Sequence, residues 1–213
     1  MNIHQHEGDL PDSWSCGDTV AIDTEAMGVN PLRDRLCLVQ LSSGGEDVDV
    51  VHINSKPRIE EGGLVVADKA PNLTRMLADP KVTKLFHYAR FDVAILFHHF
   101  KVMPRPIWCT KIASKMVRTY TEKHGLKELL RELLGVEISK QQQHSDWGAD
   151  TLNKRQIAYA ASDVFYLHRL KDYLTTVLER EGRLDLAQSC FDFLPTKVKL
   201  DLMGWSEEAV FGH

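Results

Sequence analysis

The chain has 213 residues, with 26 lysines and arginines against 30 aspartates and glutamates and a formal net charge of −4. A chain this long buries most of its apolar surface on folding and needs no disulfide or zinc framework; its four cysteines, Cys16, Cys37, Cys109 and Cys190, lie far apart without Cys-x-x-Cys spacing. The acidic balance argues against a long track for nucleic acid, because phosphate binders carry a basic excess.

No Pro/Gly/Ser-rich stretch divides the sequence, so residues 1–189 read as one domain and 190–213 as a C-terminal extension. Residues 1–9 are polar, and no apolar run reaches the length of a membrane span. With thiols suited to a reducing compartment, the expectation is a soluble, cytoplasmic protein.

In chain order, apolar and β-branched runs predict strands at 19–24, 35–41 and 47–53, joined by turn residues at 28–31 and 42–45 and therefore antiparallel. The polar stretch 54–70 reads as a surface loop. Pro71 opens a short amphipathic helix carrying Leu73, Met76 and Leu77. A strand at 84–87, a helix at 90–100, a strand at 107–110 and a helix at 111–118 follow. Leucines at 126, 129, 130, 133 and 134 recur at helical spacing and stop at Gly135. One long helix or a helix pair spans 153–181, with Ile157, Ala161, Val164, Leu167, Leu170, Leu174 and Val177 as its buried stripe. From Cys190 onward Phe191, Phe193, Leu194, Leu200, Leu202, Met203, Trp205 and Phe211 make the segment too apolar for a free tail. It either packs back on its own domain or docks on a neighbouring subunit.

Five residues carry a chemistry. Asp23 and Glu25 are two apart at the end of the first of these strands and so share a face, Asp92 falls in the first turn of a helix, and Tyr159 and Asp163 are four apart on another helix. Each element alone has an ordinary explanation, Asp92 for instance complementing a helix dipole by ~0.3–1 kcal/mol. Four acids brought together without counter-ions would repel and take up protons, so a folded site of this composition implies cations. Oxygen ligands without cysteine, and without histidine at ligand spacing, favour Mg²⁺ or Mn²⁺ over zinc. Two such ions, roughly 3.5–4 Å apart, suit phosphodiester hydrolysis, one activating water and the other stabilising the departing oxygen. Their +4 would bring the chain's −4 to 0. Tyr159 would position or deprotonate the attacking water. Lys111, Lys115, Arg118 and Lys140 could meet substrate phosphates but are most simply surface cations, and Trp147 with Asp146 could brace the site, although a tryptophan in this context is more often packing than base stacking.

The elements Asp23-Thr24-Glu25, Phe91-Asp92 and Tyr159-x-x-x-Asp163 resemble the three motifs of the DEDDy branch of the DEDD 3′-to-5′ exonucleases, which includes ribonuclease D. Leu38-Val39-Gln40-Leu41-Ser42, Lys84-Leu85-Phe86-His87 and Ser145-Asp146-Trp147 extend the likeness over about residues 19–175. Only some forty residues remain after Leu174, where ribonuclease D continues into helical domains. Length and stretches such as Lys140-Gln141-Gln142-Gln143 and Leu202-Met203-Gly204-Trp205 resemble the compact nano-RNase C group instead.

The resemblance implies an α/β, ribonuclease H-like exonuclease fold, a mixed sheet flanked by helices, which the element order also suggests. It implies hydrolysis of very short RNA, dinucleotides included, to nucleoside 5′-monophosphates, in a homo-oligomeric ring of eight subunits. Thr24, His87 and Arg90 are then expected at the substrate, and Val29 occupies the position from which relatives wedge an apolar side chain against a base. A broader nuclease that trims structured RNA 3′ ends or DNA is the alternative.

Overall fold

The computed structural model describes residues 1–53, 70–139 and 141–212, together with the backbone of 58–60 and 63–65. Lys140 and most of the stretch expected as a surface loop lie outside the described residues. Within that stretch, Arg58–Glu60 (β5) and Gly63–Val65 (β6) pair as a short antiparallel ribbon.

The main sheet runs in the order β1-β4-β3-β2-β7-β8, where β1 is Asn2–Glu7, β2 Thr19–Ala26, β3 Leu36–Ser42, β4 Asp47–His52, β7 Thr83–Phe86 and β8 Ile107–Cys109. The three expected antiparallel strands are its middle, β2 pairing with β3 and β3 with β4. All seven residues of β3 are buried, as a central strand covered on both faces requires. Strand β1 is an addition to the elements read from sequence. It pairs parallel with β4 along the sheet edge, and His4 and His6 reach Asp47 and Asp49 at 3.1 and 2.7 Å.

Helices α1 (Pro71–Ala78), α2 (Ala89–Phe100) and α3 (Thr110–Val117) alternate with the parallel strands, and α1 buries Leu73, Met76 and Leu77 as its spacing predicts. The leucine-rich helix is α4 (Leu126–Leu129), which widens into a π-helical turn at Leu130–Leu134 before Gly135 ends it at φ 66°. The 153–181 stretch is a helix pair, α5 (Lys154–Phe165) and α6 (Leu167–Arg180), broken at Tyr166. Then α7 (Leu184–Leu202) runs unbroken through residue 190, with Pro195 inside it, and α8 (Glu207–Phe211) closes the chain. Ala187, Phe191, Leu194 and Val198 of α7 are buried against α2, α3 and β8. The 189/190 boundary drawn from sequence therefore falls within one continuous helix. Beyond it Phe193, Met203, Trp205 and Phe211 remain exposed.

Candidate active site

Strand β2 works on both sides of the sheet. Side chains alternate along it, so Asp23 and Glu25 point to one face and Thr24 to the other. Helix α5 lies over β2, β3 and β4 and brings Asp163 to the first face, where one carboxylate oxygen from each of Asp23, Glu25 and Asp163 falls within 4.8 Å of the others. From the second face Thr24 Oγ1 donates to Asp92 Oδ1 at 2.7 Å, fixing the fourth acid, which is buried in the first turn of α2. Three segments separated by some seventy residues each thus converge on one point.

The start of α5 is set locally. Asn153 accepts from the backbone of Arg155 and Gln156 at 2.9 and 3.1 Å, and Gln156 returns an acceptor to the Asn153 N–H at 2.9 Å. This reciprocal cap fixes where the helix begins, and therefore the turn on which Tyr159 and Asp163 emerge. The Gln156 amide also donates to the Asp146 carbonyl at 3.2 Å, which ties the cap to the segment holding Trp147. Trp147 is buried, with its ring 6.0 Å from that of Tyr159. It supports the phenol from behind, while Asp146 accepts from the Gly148 N–H at 3.0 Å.

The acids oppose one another. Burial first, then the charges of Asp92, Asp163 and Glu25, push the Asp23 carboxyl well above its usual range. Burial, Asp163 and Asp92 push Glu25 up to about 9. Burial lifts Asp92 to about 7 against hydrogen bonds from Thr24 and the backbone that favour its ionised form. Tyr159 is raised by burial, by Asp163, Glu25 and Asp23, and by its hydrogen bond to Asp163, so its hydroxyl stays protonated near neutral pH. Carboxylates that hold protons at neutral pH, with hard oxygen donors facing one another, fit divalent cations such as Mg²⁺ or Mn²⁺. No cysteine is among them.

The acids open into a cleft of about 960 Å³. All five motif residues line it, as do Val29, His87 and Arg90. Val29 is 85% exposed at the rim, free to meet a base. His87 Nδ1 lies 2.8 Å from Thr110 Oγ1, which is also 3.3 Å from the Phe86 carbonyl. The Thr24 hydroxyl, expected at the substrate, is spent on Asp92. Arg90 is likewise engaged: its Nε and Nη2 grip Asp201 at 2.6 and 2.8 Å, and Nη1 reaches Glu207 at 3.2 Å. Lys197 also bonds Asp201, so the end of α7 and the start of α8 form an ionic wall beside the acid cluster.

Sequence reasoning missed two features of the cleft. Tyr88 is held in the left-handed region at φ 66° just before α2, with its half-exposed ring under the Lys111 ammonium at 3.9 Å from the centroid. Lys111, read as a surface cation, is therefore a lining residue, whereas Arg118 is buried, donating to the Lys123 carbonyl at 2.6 Å and pairing with Glu132. A tyrosine at positive φ has no residue pattern that announces it.

Fold and site together define a nuclease. A model of the 3′-5′ exonuclease family matches residues 10–179, which contain all five motif residues, and the chain belongs to that family, in its ribonuclease D-like group. Among solved structures it is similar over its whole length to Brucella melitensis NrnC, a nano-RNase C, at 53% identity and TM-score 0.90, covering 100% of both chains. That protein has also been solved with bound Mg²⁺ and bound to pGG. Ribonuclease D of Gluconacetobacter diazotrophicus is 40% identical over 170 residues, 80% of this chain and 40% of that one. Escherichia coli RNase D, at 27% identity and TM-score 0.72, is matched over 86% of this chain and 45% of its own. The chain spans about two fifths of the length of the curated ribonuclease D relatives it matches.

Proposed function

We propose that the chain is a 3′-5′ exoribonuclease that degrades very short RNA, dinucleotides included, to nucleoside 5′-monophosphates using two divalent cations. The observation that carries this reading is the convergence of Asp23, Glu25 and Asp163 within 4.8 Å, with Asp92 buried beside them, in a site whose acids take up protons unless cations replace them. Those four carboxylates would hold Mg²⁺ or Mn²⁺, which supplies charge stabilisation at the scissile phosphate and lowers the proton affinity of water.

Tyr159 would position or deprotonate the attacking water, its hydroxyl held beside Asp163 at the acid cluster. Trp147 and the α5 cap hold the phenol in register. His87 and Arg90 line the cleft where phosphate would lie, and Val29 offers an apolar surface to a base. Arg90 acts from within its clamp with Asp201, held in place rather than as a mobile arm.

Short substrates are favoured by full-length likeness to NrnC, a protein solved bound to pGG, and by the ionic wall of α7 and α8 beside the acids. Assembly into a ring, eight-membered by resemblance, is supported by exposed Phe193, Met203, Trp205 and Phe211. No helix among the described residues is long and apolar enough to cross a membrane, which accords with a cytoplasmic site of action.

Labelled RNAs of two to about twenty nucleotides, with Mg²⁺ and with EDTA, test the reading. Preferential, EDTA-sensitive decay of the shortest species is expected. Equal rates at all lengths, or on DNA, favour a broader nuclease, and no turnover with any divalent ion removes the enzymatic reading. Light scattering reads the assembly, and a monomer removes the ring.

A further inference from the structure

Strand β3 is apolar except for Gln40 and its last residue, Ser42. Gln40 is 0% exposed, and neither its amide nitrogen nor its oxygen has a hydrogen-bond partner among the described residues. A leucine or methionine would fill similar space without burying an unpaired amide, so an amide here calls for a reason. Its position supplies one. Gln40 is the direct cross-strand partner of Asp23 in the antiparallel β2–β3 register, so both side chains stand on the face that α5 covers, with Cβ atoms ~4.5–5.5 Å apart. On its other side Gln40 faces Val50 of β4, which offers no side-chain partner.

We propose that Gln40 is a positioning residue for Asp23, its amide N–H donating to the Asp23 carboxylate when the site holds its cations. An amide suits this place because it donates a hydrogen bond without adding to the site's charge, whereas a lysine would neutralise the acid and compete with the metal. Ligating carboxylates are commonly fixed by such outer hydrogen bonds, whose loss weakens metal binding about 10–100-fold. The inference rests on the proposed metal site but requires no turnover.

The test replaces Gln40 with methionine, of similar length and apolar, and titrates Mg²⁺ in the absence of RNA by calorimetry and by thermal shift. Q40M is expected to be at least as stable as the wild type in EDTA, while its Mg²⁺ half-saturation rises about tenfold or more. In an Asp23→Ala background, which has no acceptor for the amide, the same replacement should leave half-saturation unchanged. A half-saturation in Q40M equal to that of the wild type overturns the proposal, as does destabilisation in EDTA, which would mean that the amide already has a structural partner. Wild-type protein that takes up neither Mg²⁺ nor Mn²⁺ overturns it too. Wild-type protein that binds Mg²⁺ yet cleaves no RNA refutes the exoribonuclease reading and leaves the Gln40 result standing on its own.

Discussion

Replacing Asp92 by asparagine should stabilise the metal-free protein while abolishing turnover. Burial raises this carboxyl from 3.8 to about 7, so folding favours its protonated form. The cost of ionising it in the folded state is absent below pH 4, grows as pH rises, and is complete above about 7. At ~1.36 kcal/mol per pH unit the full penalty is about 4 kcal/mol, of which about 2.5 kcal/mol accrues between pH 5 and pH 8. Asparagine removes the charge and keeps an oxygen to accept from Thr24. Thermal unfolding in EDTA should therefore show a gain for Asp92→Asn over wild type that is larger at pH 8 than at pH 5 by ~5–10 °C, taking ~2–4 °C per kcal/mol for a chain of this size. Mg²⁺ should erase the advantage by stabilising the wild type alone. A gain that is the same at both pH values, or a loss at pH 8, would refute the claim that crowded carboxylates strain the empty site.

Tyr159→Phe should lower kcat by ~10²–10⁴-fold with little change in the Mg²⁺ half-saturation or in circular dichroism, since the phenol is assigned to water and not to metal. Asp201→Asn should loosen the grip on Arg90, lowering stability by about 1–2 kcal/mol in denaturant titrations, discounted because Arg90 is partly exposed, and raising the relative rate on RNAs longer than four nucleotides. An unchanged length profile would deny the α7 wall a part in selecting substrate. Val29→Ala should weaken dinucleotide affinity a few-fold in equilibrium binding with EDTA present, and an unchanged affinity would remove the wedge.

The gathering of Asp23, Glu25, Tyr159 and Asp163 on one cleft was legible because their spacings are local: two acids at i and i+2 on a strand, a phenol and an acid at i and i+4 on a helix. The middle of the sheet was legible because Val20 to Ile22 and Leu36 to Leu41 are apolar runs bounded by turns. Strand β1 was not, since Asn2, His4, Gln5 and His6 are polar and an edge strand ordered by pairing with β4 and by Asp47 and Asp49 needs no buried stripe. The clamp on Arg90 was equally hidden, its partner Asp201 lying 111 residues away and meeting it only through the burial of α7 against α2. Gln40 looked like one more residue of an apolar strand, and only the register with Asp23 gives it meaning. The π-helical turn at Leu130–Leu134 left the leucine spacing unbroken, so it gave no sign in the pattern.

Because β2 feeds acids to α5 on one side and braces Asp92 through Thr24 on the other, folding accuracy and activity are governed by a single alignment. A slip of β2 by one residue would turn Asp23 and Glu25 toward α2 and Thr24 toward α5, disarming both halves at once. A copy misaligned at β2 would thus lose the acid cluster and the Thr24–Asp92 bond together.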